Sequence, residues 1–200
     1  AMQELKNSVT IHFSRENPRS FAAQESPKLR VFLKNVDRLL VRVYEINTLG
    51  YYKDTGREVD TSINLDGLMS PSARTEKGTQ GPYVREERAF EFPEMKGRGI
   101  WIVEFIGSGI RSRALVQKGR FRCVEGDSPA GQILRVVDES GALLKSARAH
   151  VGGREYLPDE QGEILIPFAP AAKSEPLILH EGRFASLTSI DRRQESYRLD

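Results

Sequence analysis

Cysteine, histidine and long apolar runs are all scarce in this 200-residue chain. The single cysteine, Cys123, excludes an internal disulfide bond and a zinc site built from cysteines. No apolar run approaches the roughly 18 residues that a membrane helix needs. The 30 basic and 28 acidic residues leave a net charge of +2, so no excess of one sign points to nucleic acid or to a membrane surface. With 38% hydrophobic residues, the composition is that of an ordinary globular protein.

Groups suited to catalysis are few. The three histidines, His12, His150 and His180, each alternate with apolar neighbours, which places them on the face of a strand predicted to be solvated. The triplet Gly107-Ser108-Gly109 lacks the glycines two residues before and after the serine that a nucleophile elbow requires. A hydrolase is therefore the least favoured of three candidate functions, and the sequence predicts no enzyme.

Phosphate-binding and metal-binding motifs are missing or incomplete. Neither GxGxxG nor GxxxxGK[ST] occurs, so no phosphate cradle is predicted. The sequence DTSINLDG at 60–67 offers oxygen ligands at Asp60, Ser62 and Asn64, as the calcium loop of a helix-loop-helix motif does. However, the glycine comes two residues late, and Pro71 stands where that loop has its last ligand. We therefore predict a solvated turn there, and neither a metal nor a cofactor.

Short strand patterns with tight turns are abundant instead. Two apolar runs, 100–106 and 114–116, flank Gly107-Ser108-Gly109 and predict a β-hairpin. Apolar and polar residues alternate at 9–13, 29–33 and 39–46, and similar segments punctuated by glycine and proline continue through the second half. This pattern is typical of antiparallel β-sandwiches. The predicted fold class is all-β.

A change of composition at 125–131, EGDSPAG, marks the predicted boundary between two domains. We predict two antiparallel β-sandwich domains in tandem, 5–124 and a smaller one at 125–200. Residues 50–83 contain five glycines and two prolines with few apolar residues, so they are predicted to form one long loop. The Ala1-Met2 start and the strand expected at 196–199 suggest a segment cut from a longer protein.

The predicted loop is the best candidate for contact with a partner, because it offers Tyr51, Tyr52 and Tyr83 on flexible backbone. Arg111 and Arg113, which share one face of the second hairpin strand, are further candidates. They are expected to form a solvated face or to contact an acidic neighbouring domain.

The basic region at 96–122 does not predict binding of nucleic acid. It has seven basic residues against one acid, Glu104, but of its two closely spaced arginine pairs only Arg120 and Arg122 enclose an aromatic residue, Phe121. Strand alternation turns that ring to the opposite face, so no platform for stacked bases is predicted. The single cysteine, which ends a predicted strand, is interpreted as a small buried hydrophobe.

With the strands placed, the chain resembles a known family. The segments GRGIWIVEF and SRALVQKG are similar to the late strand pair of macroglobulin-type domains. The second-half segments AGQILRVVDESGALLKSARAHVGG and DEQGEILIPF are similar to the same family. These domains are the β-sandwich repeats of alpha-macroglobulin-like proteins, including large bacterial ones. The resemblance implies immunoglobulin-like or macroglobulin-like sandwiches, an extracytoplasmic location, and neighbouring domains of a larger parent chain or another protein as partners.

The reactive chemistry of that family does not carry over. Its thioester depends on Cys-x-Glu-Gln, whereas Cys123-Val124-Glu125 is followed here by Gly126. The resemblance therefore implies a non-catalytic structural or interaction segment of a larger bacterial protein, without nucleic acid and without membrane insertion. The alternative is a carbohydrate- or ligand-binding β-sandwich module with Trp101 as its stacking residue, although the apolar run around that residue favours the core.

Overall fold

The computed structural model describes residues 8–79 and 84–195, which form two compact units. The first unit contains the described residues up to Ile46 together with Asp60–Lys118. The second contains Asn47–Val59 and the described residues from Gly119 onward. The sequence did not predict that 47–59 belong with the second unit. The limits 5–124 and 125–200 stay a prediction about domains.

Within the described residues the chain forms fifteen strands and one helix. The elements of the first unit are β1 (Thr10–Phe13), β2 (Ser20–Phe21), β3 (Lys28–Lys34), β4 (Arg38–Glu45), β5 (Ser72–Lys77), β6 (Glu86–Glu91), β7 (Gly99–Gly107) and β8 (Ile110–Lys118). The elements of the second unit are α1 (Thr48–Thr55), β9 (Arg122–Ser128), β10 (Gly131–Val137), β11 (Arg148–Val151), β12 (Arg154–Tyr156), β13 (Glu163–Pro167), β14 (Lys173–Glu181) and β15 (Phe184–Arg192).

The first unit has one sheet in the order β1-β3-β6 and another in the order β2-β8-β7-β4-β5. All pairs are antiparallel except β2, which runs parallel to β8. Alternate side chains of β3 face the core, and Val31 and Leu33 are fully buried. Phe105 of β7 meets Phe13 and Phe90 of the other sheet edge-on, with ring centroids 5.1 and 4.9 Å apart. The core of this unit therefore lies between its two sheets.

The predicted hairpin is confirmed, and its strands are longer than the apolar runs that predicted it. β7 and β8 pair from Gly99 opposite Lys118 to Gly107 opposite Ile110. Ser108 and Gly109 connect them with φ values of 47° and 81°. Two successive positive φ values are typical of the type I′ turn, whose twist matches that of a two-stranded ribbon.

The second unit has a three-stranded sheet, β13-β10-β9, and a four-stranded sheet, β12-β11-β14-β15, all antiparallel. Side chains from both sheets form its core, where Phe121 and Phe184 pack edge-on at 4.9 Å. Leu177 and Leu179 of β14 are fully buried in this core, so Ile178 and His180 lie on the opposite face of the sheet.

The prediction of one loop over 50–83 is wrong, because the segment includes most of α1 and all of β5. Asn47 caps α1 by accepting a hydrogen bond from the Gly50 N–H at 3.3 Å. Gly56 ends it with a φ of 63° and donates to the Tyr52 carbonyl at 2.9 Å. Gly56 was counted among the glycines that predicted a loop. β5, with the sequence SARTEK, lies at the edge of its sheet and has no large apolar residue to reveal it.

Strands make up most of the described chain, and this confirms the all-β prediction. Nowhere in 8–79 or 84–195 is there a helix long and apolar enough to cross a membrane. The strand expected at 196–199 and the residue Tyr83 lie outside the described residues.

Candidate functional site

The structure places the two described tyrosine candidates differently. Thr48 and Tyr52 are one helical turn apart and form the buried side of α1. The Tyr52 side chain is only 2% exposed, and its hydroxyl donates to the Glu58 carboxylate at 3.0 Å. Burial, together with the neighbouring negative charge of Glu58, raises the pKa of Tyr52 far above its ordinary value. Tyr52 therefore belongs to the interior, whereas Tyr51 is half-buried and keeps part of its ring at the surface.

Arg111 and Arg113 lie on one face of β8, as the alternation predicted, and both bind the carboxylate of Glu104. Their Nε atoms lie 3.3 and 3.0 Å from the Glu104 Oε1. Arg113 also donates from Nη1 to the carbonyls of Thr61 and Ile63, at 3.3 and 3.0 Å. Arg113 is thus committed to contacts within the first unit, while the Arg111 side chain remains 60% exposed.

The predicted solvent exposure of the histidines holds for His12, which is exposed on β1. His150 is half-buried. For His180 the prediction is wrong, because only 4% of this residue is exposed. The alternation correctly turned His180 away from the core. Nothing in the sequence indicated that α1 packs against β14 and β15.

His180 belongs to a charged group that we call the polar cluster, formed by Lys53, Arg148, Glu155 and His180. The Glu155 Oε1 lies 3.0 Å from the His180 Nε2 and 3.6 Å from the Lys53 Nζ. The Glu155 Oε2 accepts a hydrogen bond from Arg148 at 3.3 Å. The strand register brings Arg148, Glu155 and His180 together, because Arg148 lies opposite His180, and Glu155 lies opposite His150 on the same sheet. One carboxylate therefore binds side chains from α1, β11 and β14.

Burial and positive charge act together on this histidine. Burial lowers the pKa of His180, Lys53 and Arg148 lower it further, and Glu155 opposes them. For Glu155, burial acts to raise the pKa, but the combined charges of His180, Lys53 and Arg148 leave it below its ordinary value. The cluster consequently favours a neutral imidazole beside an ionised carboxylate.

A surface cavity of about 460 Å³ adjoins the cluster within the second unit. Its lining residues are Leu49, Ser146, Arg148, Glu155, His180, Glu181 and Gly182. The Ser146 hydroxyl donates to the Glu181 carboxylate, while His180 bonds Glu155. Nucleophilic catalysis needs a hydrogen bond between the serine hydroxyl and the histidine that acts as its base. Here Ser146 and His180 each bond a different carboxylate. The arrangement is suited to holding elements together.

Trp101, the candidate stacking residue of a carbohydrate module, is 4% exposed in the core of the first unit. A buried indole offers no face to a sugar. In the loop that resembled a calcium site, Asp60 accepts a hydrogen bond from the Ser62 N–H at 2.7 Å, and Asn64 accepts one from Asp66 at 2.9 Å. These oxygens stabilise local turns. No group of three or more metal-ligating side chains occurs in the part of the chain that the structure describes.

Comparison with known proteins shows what this chain is similar to. Residues 39–119 match the family model described as the AbpF first immunoglobulin-like domain. Actin-binding protein F of Dictyostelium discoideum is 35% identical to this chain over 205 residues. The match covers 99% of this chain but only 9% of that relative. The chain therefore spans less than a tenth of the curated relative's length.

Solved structures show the same fold at low sequence identity. A segment of Escherichia coli alpha-2-macroglobulin spanning domains MG0-NIE-MG1 matches with a TM-score of 0.53 and 12% identity, covering 92% of this chain and 64% of that one. Salmonella alpha-2-macroglobulin matches with a TM-score of 0.50 and 12% identity, covering 90% of this chain and 12% of that one. The predicted resemblance to macroglobulin-type, immunoglobulin-like sandwiches is confirmed for the fold.

Proposed function

We propose that this chain is a non-catalytic structural and interaction segment of a larger multidomain protein. The observation that carries this proposal is the 35% identity to actin-binding protein F, which runs along 99% of this chain but occupies 9% of the relative. An immunoglobulin-like domain matching at 39–119 supports it, since sandwiches of this kind commonly serve as modules of long chains. The Dictyostelium relative favours a parent similar to that protein over the bacterial macroglobulin-like parent predicted from the sequence.

The size of the natural gene product tests this proposal. An antibody raised against the 200-residue chain should detect a polypeptide several times longer in the source cells, with protease inhibitors present during lysis. A product of about 200 residues, confirmed by mass spectrometry of its two ends, would overturn the proposal. A longer product whose other domains are enzymes would leave this segment's role intact, since the proposal concerns only its own residues.

A second candidate function is contact with actin filaments, which the name of the Dictyostelium relative suggests. Each unit has one predicted contact residue that is at least partly exposed. The Arg111 side chain is 60% exposed in the first unit, and Tyr51 is partly exposed in the second. Partly exposed arginine and tyrosine are common in protein interfaces. Co-sedimentation of the chain with filamentous actin tests the candidate.

The variant Arg111→Glu should weaken co-sedimentation if the first unit makes the contact, and Tyr51→Ala should weaken it if the second does. Arg15→Glu, in an exposed residue between β1 and β2, is the control for a general change of charge. If all three variants bind actin as the wild type does, these residues are not part of the contact. An absence of pelleting at every actin concentration would exclude the second function for this segment.

A further inference from the structure

Residues 47–59, which we call the latch segment, complete the second unit although they lie between β4 and β5 in the sequence. The Thr48 side chain provides the main anchor. Its Oγ1 accepts the Ala185 N–H at 2.8 Å and donates to the Arg183 carbonyl at 3.4 Å. Thr48 is 1% exposed, and Val59, at the other end of the segment, is 5% exposed. The segment is therefore held by buried residues near both of its ends, whereas 53–58 are exposed.

Among the described residues, one ion pair joins the latch segment to the other members of the polar cluster. Lys53 is the residue of α1 that reaches the Glu155 carboxylate, which His180 and Arg148 also bind. While His180 is neutral, two full positive charges share this carboxylate. Protonation of His180 would place a third cation on it, 3.0 Å from the oxygen that Lys53 uses. Repulsion among these cations then acts against the docked segment.

We propose that the latch segment is an acid-sensitive latch, released from the second unit when His180 gains a proton. His180 is 4% exposed in the docked state, and removal of α1 from β14 and β15 would give the ring access to water. The charged groups that act on His180 are Lys53 on α1, Arg148 on β11 and Glu155 on β12. His150 on β11 is acted on by the same Lys53 and Glu155. Release would also uncover Ile178 and Leu187, which are 4% and 8% exposed.

The direction of the pH dependence follows from linkage. Burial lowers the pKa of His180 in the docked state, whereas the released histidine returns towards its ordinary value of 6.5. Docking is thus fully stable above pH 6.5 and weakens as the pH falls below that value, because the released state takes up the proton more readily. Between pH 7.5 and 5.5 the released population should rise by up to about tenfold.

Hydrogen exchange of the full 200-residue chain tests the latch. Peptides covering 47–59 and 184–192 are followed at pH 7.5 and 5.5, with rates corrected for the intrinsic effect of pH. In the wild type both peptides should open several-fold more at pH 5.5, while peptides of β4 and β7 keep their protection. His180→Gln should remove most of this response and leave only the part due to His150, whose pKa is also lowered by burial and by Lys53. His12→Gln, in an exposed histidine of the first unit, should retain the full response.

The proposal is overturned if the wild-type latch segment shows no extra opening at pH 5.5, or if His180→Gln responds as the wild type does. If the His180→Gln variant does not fold, a nuclear magnetic resonance titration of the wild type tests the same proposal. There the imidazole of His180 and the amides of 48–55 must titrate together, at a pH below 6.5. Separate titration of the two would also refute the latch.

Discussion

Arg113 donates from its Nε to the Oε1 of Glu104 at 3.0 Å, and the Glu104 side chain beneath it is only 2% exposed. The same guanidinium bonds the carbonyls of Thr61 and Ile63. It therefore neutralises a buried carboxylate and holds the segment that follows residue 60 against the sheet. Arg111 reaches the same carboxylate from a largely exposed position.

This difference predicts unequal effects for two neighbouring substitutions. Arg113→Ala should lower the free energy of unfolding of the first unit by about 2–3 kcal/mol, because it leaves a buried charge and two carbonyls with fewer partners. Arg111→Ala should cost less than about 1 kcal/mol, as expected for an exposed pair. Urea unfolding followed by the fluorescence of Trp101, the chain's single tryptophan, measures both. Equal losses would show that Arg113 has no special role.

Thr48 supplies a test of how firmly α1 is anchored. Thr48→Val keeps the branched shape but removes the oxygen that accepts the Ala185 N–H, so a buried donor loses its partner. We expect a loss of about 1–3 kcal/mol, seen as faster hydrogen exchange in β15. Thr55→Val, at the exposed end of the helix, should change those rates little. If the two variants behave alike, the side chain of Thr48 does not anchor the helix.

Tyr52 makes the second unit sensitive to alkali. Its folded pKa lies above the ordinary 10.0, so above pH 10 the unfolded chain loses the phenolic proton first and stability falls as the pH rises. Between pH 10 and 11 this linkage costs about 1 kcal/mol. Urea unfolding followed by circular dichroism should show the loss in the wild type and in Tyr51→Phe, and a smaller loss in Tyr52→Phe. A wild-type slope retained by Tyr52→Phe would contradict this account.

Strands with one buried face and one solvated face could be predicted from the sequence. The alternation at Leu29, Val31 and Leu33 identified β3 because side-chain direction follows directly from the pleat. The hairpin could also be predicted from the sequence, since Ser108 and Gly109 can adopt the positive φ values of its turn. These features are local, and local sequence determines them.

Features that depend on distant segments were missed. Nothing in the polar sequence of α1, TLGYYKDT, indicates that it packs against the distant strands β14 and β15, so the burial of His180 could not be foreseen. The polar cluster was missed for the same reason, because Lys53, Glu155 and His180 are brought together only by tertiary packing. Of the predicted contact residues, Tyr52 is buried, because its segment forms a helix and not the predicted loop.

Gly99 offers a test of the core around Trp101. A Cβ added at Gly99 would lie 2.4 Å from the Cη2 of the Trp101 indole, so Gly99→Ala must displace a ring that is 4% exposed. Overpacking of this kind costs about 1–3 kcal/mol, and we expect a red shift of the tryptophan emission together with a lower urea midpoint. Gly126→Ala is the matched control, because its added Cβ meets no atom within 4 Å. That variant should keep the wild-type spectrum and midpoint. A Gly99→Ala protein with unchanged emission and stability would show that the indole has room to move, contrary to the packing described for the first unit.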